Sequence, residues 1–142
     1  MAYITLAQLI DRVGEPALVA LTDRGQFATG VIDVPTVDRA IADADAVIDG
    51  YLARRYSLPL SVAESMLVKI AGDLVFYALH IHAPDPKVEA DWKAAMATLK
   101  DISSGTVTLT AAGLEAPNVE GSGARITDRE RQMTQDNMTG LI

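Results

Sequence analysis

TVDRAIADADAVIDGYLARRYSLPL, residues 36–60, decides the fold. Val37, Ile41, Ala44, Ile48, Tyr51 and Leu52 recur at spacings of three and four, which makes one apolar stripe on a helix. Ala40 and Val47 widen it. Asp38, Asp45 and Asp49 share a second side of the same helix, read as opposite the stripe. Thr36 is placed to cap the start, and Pro59 forces the backbone out of helix from about Leu58. Arg54 and Arg55 then fall in the last turn, where cations oppose the negative end of the helix dipole. A helix of about five turns with one apolar face is stable only when that face is covered by other elements.

Composition limits what can cover it. The chain has 142 residues, enough for one domain with a sizeable core. Two Phe, one Trp and four Tyr leave the interior to Leu, Ile, Val and Ala, which favours packed helices over a β-sandwich. The formal charge of −7 comes with no basic patch of the kind that a nucleic-acid reader presents. No apolar run reaches the ~20 residues of a membrane span, and the N-terminus lacks a signal-peptide pattern. Without cysteine there are no disulfides and no thiolate metal sites. A cytosolic, soluble protein is the expectation.

The remaining elements follow from caps and breakers. Thr5 and Gln8 fit a capping box, and Leu6, Leu9, Ile10 and Val13 make a short amphipathic helix that Gly14 stops. Pro16 sits in a favoured first turn, and Ala17 to Leu21 form a second short helix. Gly25 to Pro35 has no helical period and reads as an extended loop, long enough to be functional. Ser61 and Glu64 read as a second capping box. The segment from Val62 to about His82 is apolar almost all round, with Ser65, Lys69, Asp73 and His80 its narrow polar stripe, so it belongs at the centre of the bundle. Asp85-Pro86 opens a further helix to about Ser104, with Val88, Trp92, Ala95, Met96, Leu99 and Ile102 inward and Gly105 just past its end. Thr106 to Leu109 is β-branched but too short for a sheet.

From Ala111 the composition turns to Gly, Ser, Pro, Asn and charge, too polar to offset its own ordering entropy. The expected organisation is a small all-α bundle of four to five helices in residues 1–110, then an extended assembly arm in 111–142. Ile126, Met133, Met138 and Leu141 are spaced along the arm to fill pockets on a partner.

Catalytic and metal chemistry find little support. His80 and His82, two apart, point to different faces of a helix, whereas a helical metal pair needs spacings of three or four. The aspartates of residues 38–49 have no neighbour that would raise one pKa for general-acid work, and they read as a solvated face or the wall of a channel. Gly121-Ser122-Gly123 lacks the strand and helix of a phosphate loop. No triad can be assembled around a placed histidine. Neither an enzyme nor a cofactor is expected, and Gly72 inside the most apolar helix is ascribed to a close helix crossing.

The runs Ala40-Ile41, Asp43-Ala44, Ile48-Asp49-x-Tyr51-Leu52 and Arg55-Tyr56-x-Leu58-Pro59-Leu60 resemble the Mu-like phage head–tail connector family. Tyr3-Ile4-Thr5 with Leu9 is similar to that family's opening. Ala71-Gly72-Asp73 with Tyr77-Ala78-Leu79, and Leu99-Lys100-Asp101-Ile102 with Gly105 and Leu109, are similar to its later helices. Arg131-Gln-Met133-Thr134-x-Asp136-x-Met138-x-Gly140-Leu141 is similar to its terminal motif, which adds Arg131 and Asp136 to the partner-binding residues. The RY-x-LPL block is the most specific piece. Two positions depart from the pattern, Trp92 for Tyr and Met133 for an aromatic.

The resemblance implies an adaptor at the head–tail junction of a virion, a homo-oligomeric ring, usually dodecameric, beneath the portal protein. It implies a tail-side connector or tail terminator as second partner, and double-stranded DNA passing through the lumen without specific binding. Asp38, Asp45 and Asp49 would then line the channel or an interface, where negative charge does not trap phosphates. The alternative is a small helical DNA-packaging or regulatory DNA-binding protein. It needs a basic recognition helix, for which Arg54-Arg55 is a poor substitute.

Overall fold

Five helices and no strand make up the described part of the chain, residues 2–110 of the computed structural model. They are α1 (Leu6–Val13), α2 (Glu15–Thr22), α3 (Val34–Leu52), α4 (Ser65–Leu79) and α5 (Pro86–Ser104). The arm assigned to 111–142, with Ile126, Arg131, Met133, Asp136, Met138 and Leu141, lies outside the described residues.

α4 is the central element, packed between α3 and α5, which also touch each other, and against α1 on a further side. Leu67, Ile70, Ala71, Leu74, Val75 and Leu79 are buried along it. α3 contributes Val37, Ile41, Ala44, Ile48 and Leu52, and α5 contributes Ala95, Leu99 and Ile102. Tyr3, Ile4, Leu9 and Leu18 complete the interior from the N-terminal side. At Gly72 the N-terminal segment packs closely on α4. A Cβ there would sit 3.1 Å from Arg12 Nε and 3.3 Å from Ile4 Cδ1, so any larger residue would make these side chains shift by a few tenths of an ångström.

Local signals account for some boundaries. At α1 the capping box forms: the Gln8 amide donates to Thr5 Oγ1, and the Thr5 amide donates to Gln8 Oε1 at 2.9 Å. Gly105 closes α5 with φ +85°, a left-handed conformation strained for any other residue.

Elsewhere the boundaries differ from the sequence expectation. α3 starts at Val34, with Asp33 rather than Thr36 at its N-cap; Thr36 lies inside the first turn and its hydroxyl donates to the Asp33 carboxylate. α3 also ends at Leu52, before Arg54 and Arg55, so neither cation lies in its last turn. The Arg55 guanidinium instead crosses over Gly105 toward the Ser104 carbonyl, at 3.4 Å, and opposes the negative end of α5.

α4 is shorter at both ends than its apolar run. Ser61 and Glu64 form no capping box, because the Glu64 carboxylate is occupied by Thr110 of the chain's exit. Val62 and Ile81, expected inside the helix, lie beyond its ends at 57% and 64% exposure. Val47 is also exposed, since it lies on the far edge of the α3 stripe.

Replacing Leu74 by Ala is expected to lower stability by about 2–5 kcal/mol through lost transfer energy and the cavity left among α3, α4 and α5. A thermal melt coincident with that of the parent protein would contradict the central placement of α4.

Candidate interaction site

Three structural clusters carry the polar and exposed groups that the core does not explain. The first fastens the N-terminus. Tyr3 is buried, its amide donates to Asp45 Oδ1 at 3.0 Å, and its hydroxyl donates to Asp49. Of the three aspartates read as one acidic face, only Asp38 is exposed; Asp45 and Asp49 are half-buried. At 100° per residue these three lie about a quarter turn from the apolar stripe, not opposite it, so the N-terminal segment reaches two of them. Burial, against the pull of the Tyr3 amide, raises the Asp45 pKa above the ordinary carboxylate value. Burial, reinforced by the bond to Asp49, likewise pushes the Tyr3 phenol up. The signal available in the sequence was the i, i+4 pair of acids flanking the stripe.

The second cluster fastens the exit toward residue 111. Tyr56 and Leu60 of the RY-x-LPL block are buried, and the Leu58–Pro59 peptide is cis. The Tyr56 hydroxyl accepts the Leu109 amide at 2.9 Å. Glu64 Oε1 accepts both the amide and the hydroxyl of Thr110. Leu109 and Thr110 are therefore stitched to the α3–α4 link, while the Thr106 and Val107 amides donate back to the Asp101 carbonyl of α5.

The third is the loop between α2 and α3. The Asp23 carboxylate accepts the amides of Thr29 and Gly30, at 2.8 and 2.9 Å, and the Thr29 hydroxyl. These bonds, the one from Gly30 foremost, hold its pKa below the usual carboxylate range. At the loop's base the buried Thr22 hydroxyl donates to the Leu18 carbonyl and accepts the Asp33 amide. Arg24 folds back onto the carbonyls of Leu21 and Leu79. This ordered frame holds Phe27 80% exposed and Val31 61% exposed. Periodicity carries no information about which way such a side chain faces, so sequence reasoning missed it.

The histidines lie past the last residue of α4. His80 Nδ1 donates to the Phe76 carbonyl at 2.7 Å, and its ring meets that of Phe76 edge-on. Among the described residues no three His, Asp or Glu are placed to hold a metal ion, and no helix is long and apolar enough to cross a membrane.

Fold and clusters together define a small all-α bundle whose N-terminus, loop and exit are each fastened by specific hydrogen bonds. The sequence matches the family described as Bacteriophage Mu, Gp36 over residues 3–128, and the chain belongs to that family. It is 33% identical over 105 residues to gene product J of Escherichia phage Mu, an alignment covering 74% of each chain. It is 28% identical over 78 residues, 55% of each chain, to the Mu-like prophage FluMu protein gp36 of Haemophilus influenzae. The resemblance drawn from the RY-x-LPL block thus leads to a Mu-like bacteriophage family.

Two outcomes follow from these clusters. Asp45 has a raised pKa in the fold, so its contribution to stability is full below its unfolded value and is lost as pH rises through the folded value. Asp45→Asn keeps an acceptor for the Tyr3 amide without the buried charge, and should gain on the parent protein as pH rises from acid to neutral. Asp45→Ala, which strands that amide, should lose about 1–3 kcal/mol at any pH; melts of both variants across pH 3–8 check this. Asp23 has the opposite sign: its depressed pKa supports the loop above the ordinary carboxylate range, and that support is lost as pH falls through the folded value. Exchange of the Thr29 and Gly30 amides should accelerate at neutral pH in Asp23→Ala, relative to an unchanged core.

Proposed function

We propose that this protein is a head–tail connector, a structural subunit that forms a ring beneath the portal and joins the capsid to the tail around the DNA channel. Family membership makes it a bacteriophage-family protein, and the connector role is the specific task proposed within that family. The observation that carries it is the fastened exit. Tyr56 and Glu64 hold Leu109 and Thr110, so the last described residues before 111 are fixed at one point on the bundle. An adaptor needs such a fixed origin for a segment that reaches another protein.

On this reading the subunits form a homo-oligomer, the portal protein and a tail-side connector or terminator lie on its two faces, and double-stranded DNA passes through. The net charge of −7 suits a conduit, since a wall without cation clusters gives phosphates nothing to bind. Asp38 is exposed on α3, and Asp45 and Asp49 are half-buried beside Tyr3. Its role is structural rather than catalytic, in the virion once assembled and in the host cytoplasm before that. The DNA-reading alternative is disfavoured, because Arg54 and Arg55 sit in a turn and Arg55 is directed onto the end of α5.

The arm is the testable part. Extended, the last eighteen residues would reach about 60 Å, ample to cross onto a neighbouring protein. Ile126, Met133, Met138 and Leu141 would seat in its pockets, with the ordering cost charged to binding. Truncation before Arg125 should leave helicity and melting nearly unchanged while heads and tails fail to join. An early melt, or infectious particles from the truncated protein, would overturn the proposal.

A further inference from the structure

Phe27 is one of two phenylalanines in the chain, and the fold holds it out in water. It does so on purpose-built scaffolding: three hydrogen bonds to Asp23, the buried Thr22 link to Asp33, and Arg24 tied down at the base. Val31, at 61% exposure, and Val34, at 43%, are further exposed aliphatics in the same loop and at α3's first residue. An exposed aromatic on a hydrogen-bonded loop is the form of an interface anchor.

The same molecule carries a receptacle. Two adjoining clefts run between α3 and α5 and share Val47 and Met96. The smaller, about 200 Å³, is walled by Leu74 and by Tyr77 and Trp92, whose rings stack at 4.5 Å. The larger, about 660 Å³, runs past Gly50 and Tyr51 to Arg54 and Lys100. The charged lining of the larger cleft is basic, and neither cation has a carboxylate partner among the described residues; the smaller cleft carries one charged residue, Asp43. The loop is acidic in complement: it presents Asp23 and Asp33, while its one cation, Arg24, is turned back on the bundle.

Phe27 fills neither cleft of its own chain: it stands 80% exposed and contributes to the lining of neither. The loop meets α3 at Val34, and Gly50 lies sixteen residues further along the helix, about 24 Å away. We infer that the Phe27 loop of one copy docks into the α3–α5 cleft of the next, with Phe27 against the Tyr77–Trp92 stack and Asp23 and Asp33 toward Arg54 and Lys100. Knob and socket are different surfaces, so the contact is heterologous and propagates head to tail, closing into a ring where the rotation allows. The inference rests on the ring reading above and names the contact that would build it.

The chain has no cysteine, which permits a clean test on the full-length protein. Phe27→Cys and Val47→Cys are made singly and together, and oxidised at high protein concentration. The double variant should give a ladder of cross-linked oligomers. A mixture of the two single variants should stop at a dimer, because each has only one reactive half of the contact. Neither single variant alone should cross-link; a dimer from Phe27→Cys alone would mean a two-fold contact and overturn the inference. Phe27→Ser, at a position too exposed to affect folding, should weaken self-association about 30-fold, with an unchanged melt. If Phe27→Ser self-associates as the parent does and the mixture gives no dimer, the docking is wrong while the ring stands. A parent protein that remains monomeric, without cross-links in the double variant, removes both.

Discussion

The burial of α4 is the constraint on which the rest of the structure depends. A fifteen-residue helix is marginal alone in water. This one buries Leu67, Ile70, Ala71, Gly72, Leu74, Val75 and Leu79 over about half of its circumference, so that wide face must be covered by neighbouring elements. Each large aliphatic so buried contributes roughly 1.5–3 kcal/mol relative to exposure. α3 and α5 cover two sides, and α1 with the N-terminal Tyr3 and Ile4 covers a third through the gap that Gly72 leaves. The short N-terminal helices are thus part of the core's closure. That explains why Tyr3 is fastened to α3 by two separate hydrogen bonds although it lies next to a chain end.

Where a helix boundary is set by residues within one turn of it, the sequence was legible. Thr5 with Gln8, Gly14, Asp85-Pro86 and Gly105 all mark ends that the structure keeps. Where a capping residue has a better offer from elsewhere in the chain, the local reading failed. Glu64 would have completed a capping box with Ser61, but its carboxylate meets Thr110, forty-six residues on. Arg55 likewise serves the end of α5 rather than α3. Ile48, Leu52 and Leu99, read as inward-facing, are buried because periodicity reports the mean direction of a face. It reports edges poorly, and so Val47 faces outward while Asp45 and Asp49 turn partly inward.

The candidate surfaces were legible to different degrees for the same reason. The RY-x-LPL block stood out as a family resemblance, but its physical task depends on contacts that cross the chain. Tyr56 is a buried phenol whose hydroxyl has to find a partner, and it finds the Leu109 amide. The block that marks the family is therefore also the joint that holds the chain's exit. Phe27 gave no signal, since its exposure is decided by how Asp23 gathers amides six and seven residues ahead.

α3 connects these two regions mechanically. Its nineteen residues span about 28 Å. The Asp23-framed loop stands at its N-terminal end; Tyr56, Glu64 and the exit toward residue 111 stand at its C-terminal end. Both ends are bonded to the bundle, so the helix acts as a strut that fixes the distance and the angle between them. One residue added within α3 would lengthen the strut by only about 1.5 Å but rotate one end by about 100° against the other. The same slip would carry the apolar stripe off α4. Core packing and the relative aim of loop and exit are therefore set by a single helical register, and neither can change without the other.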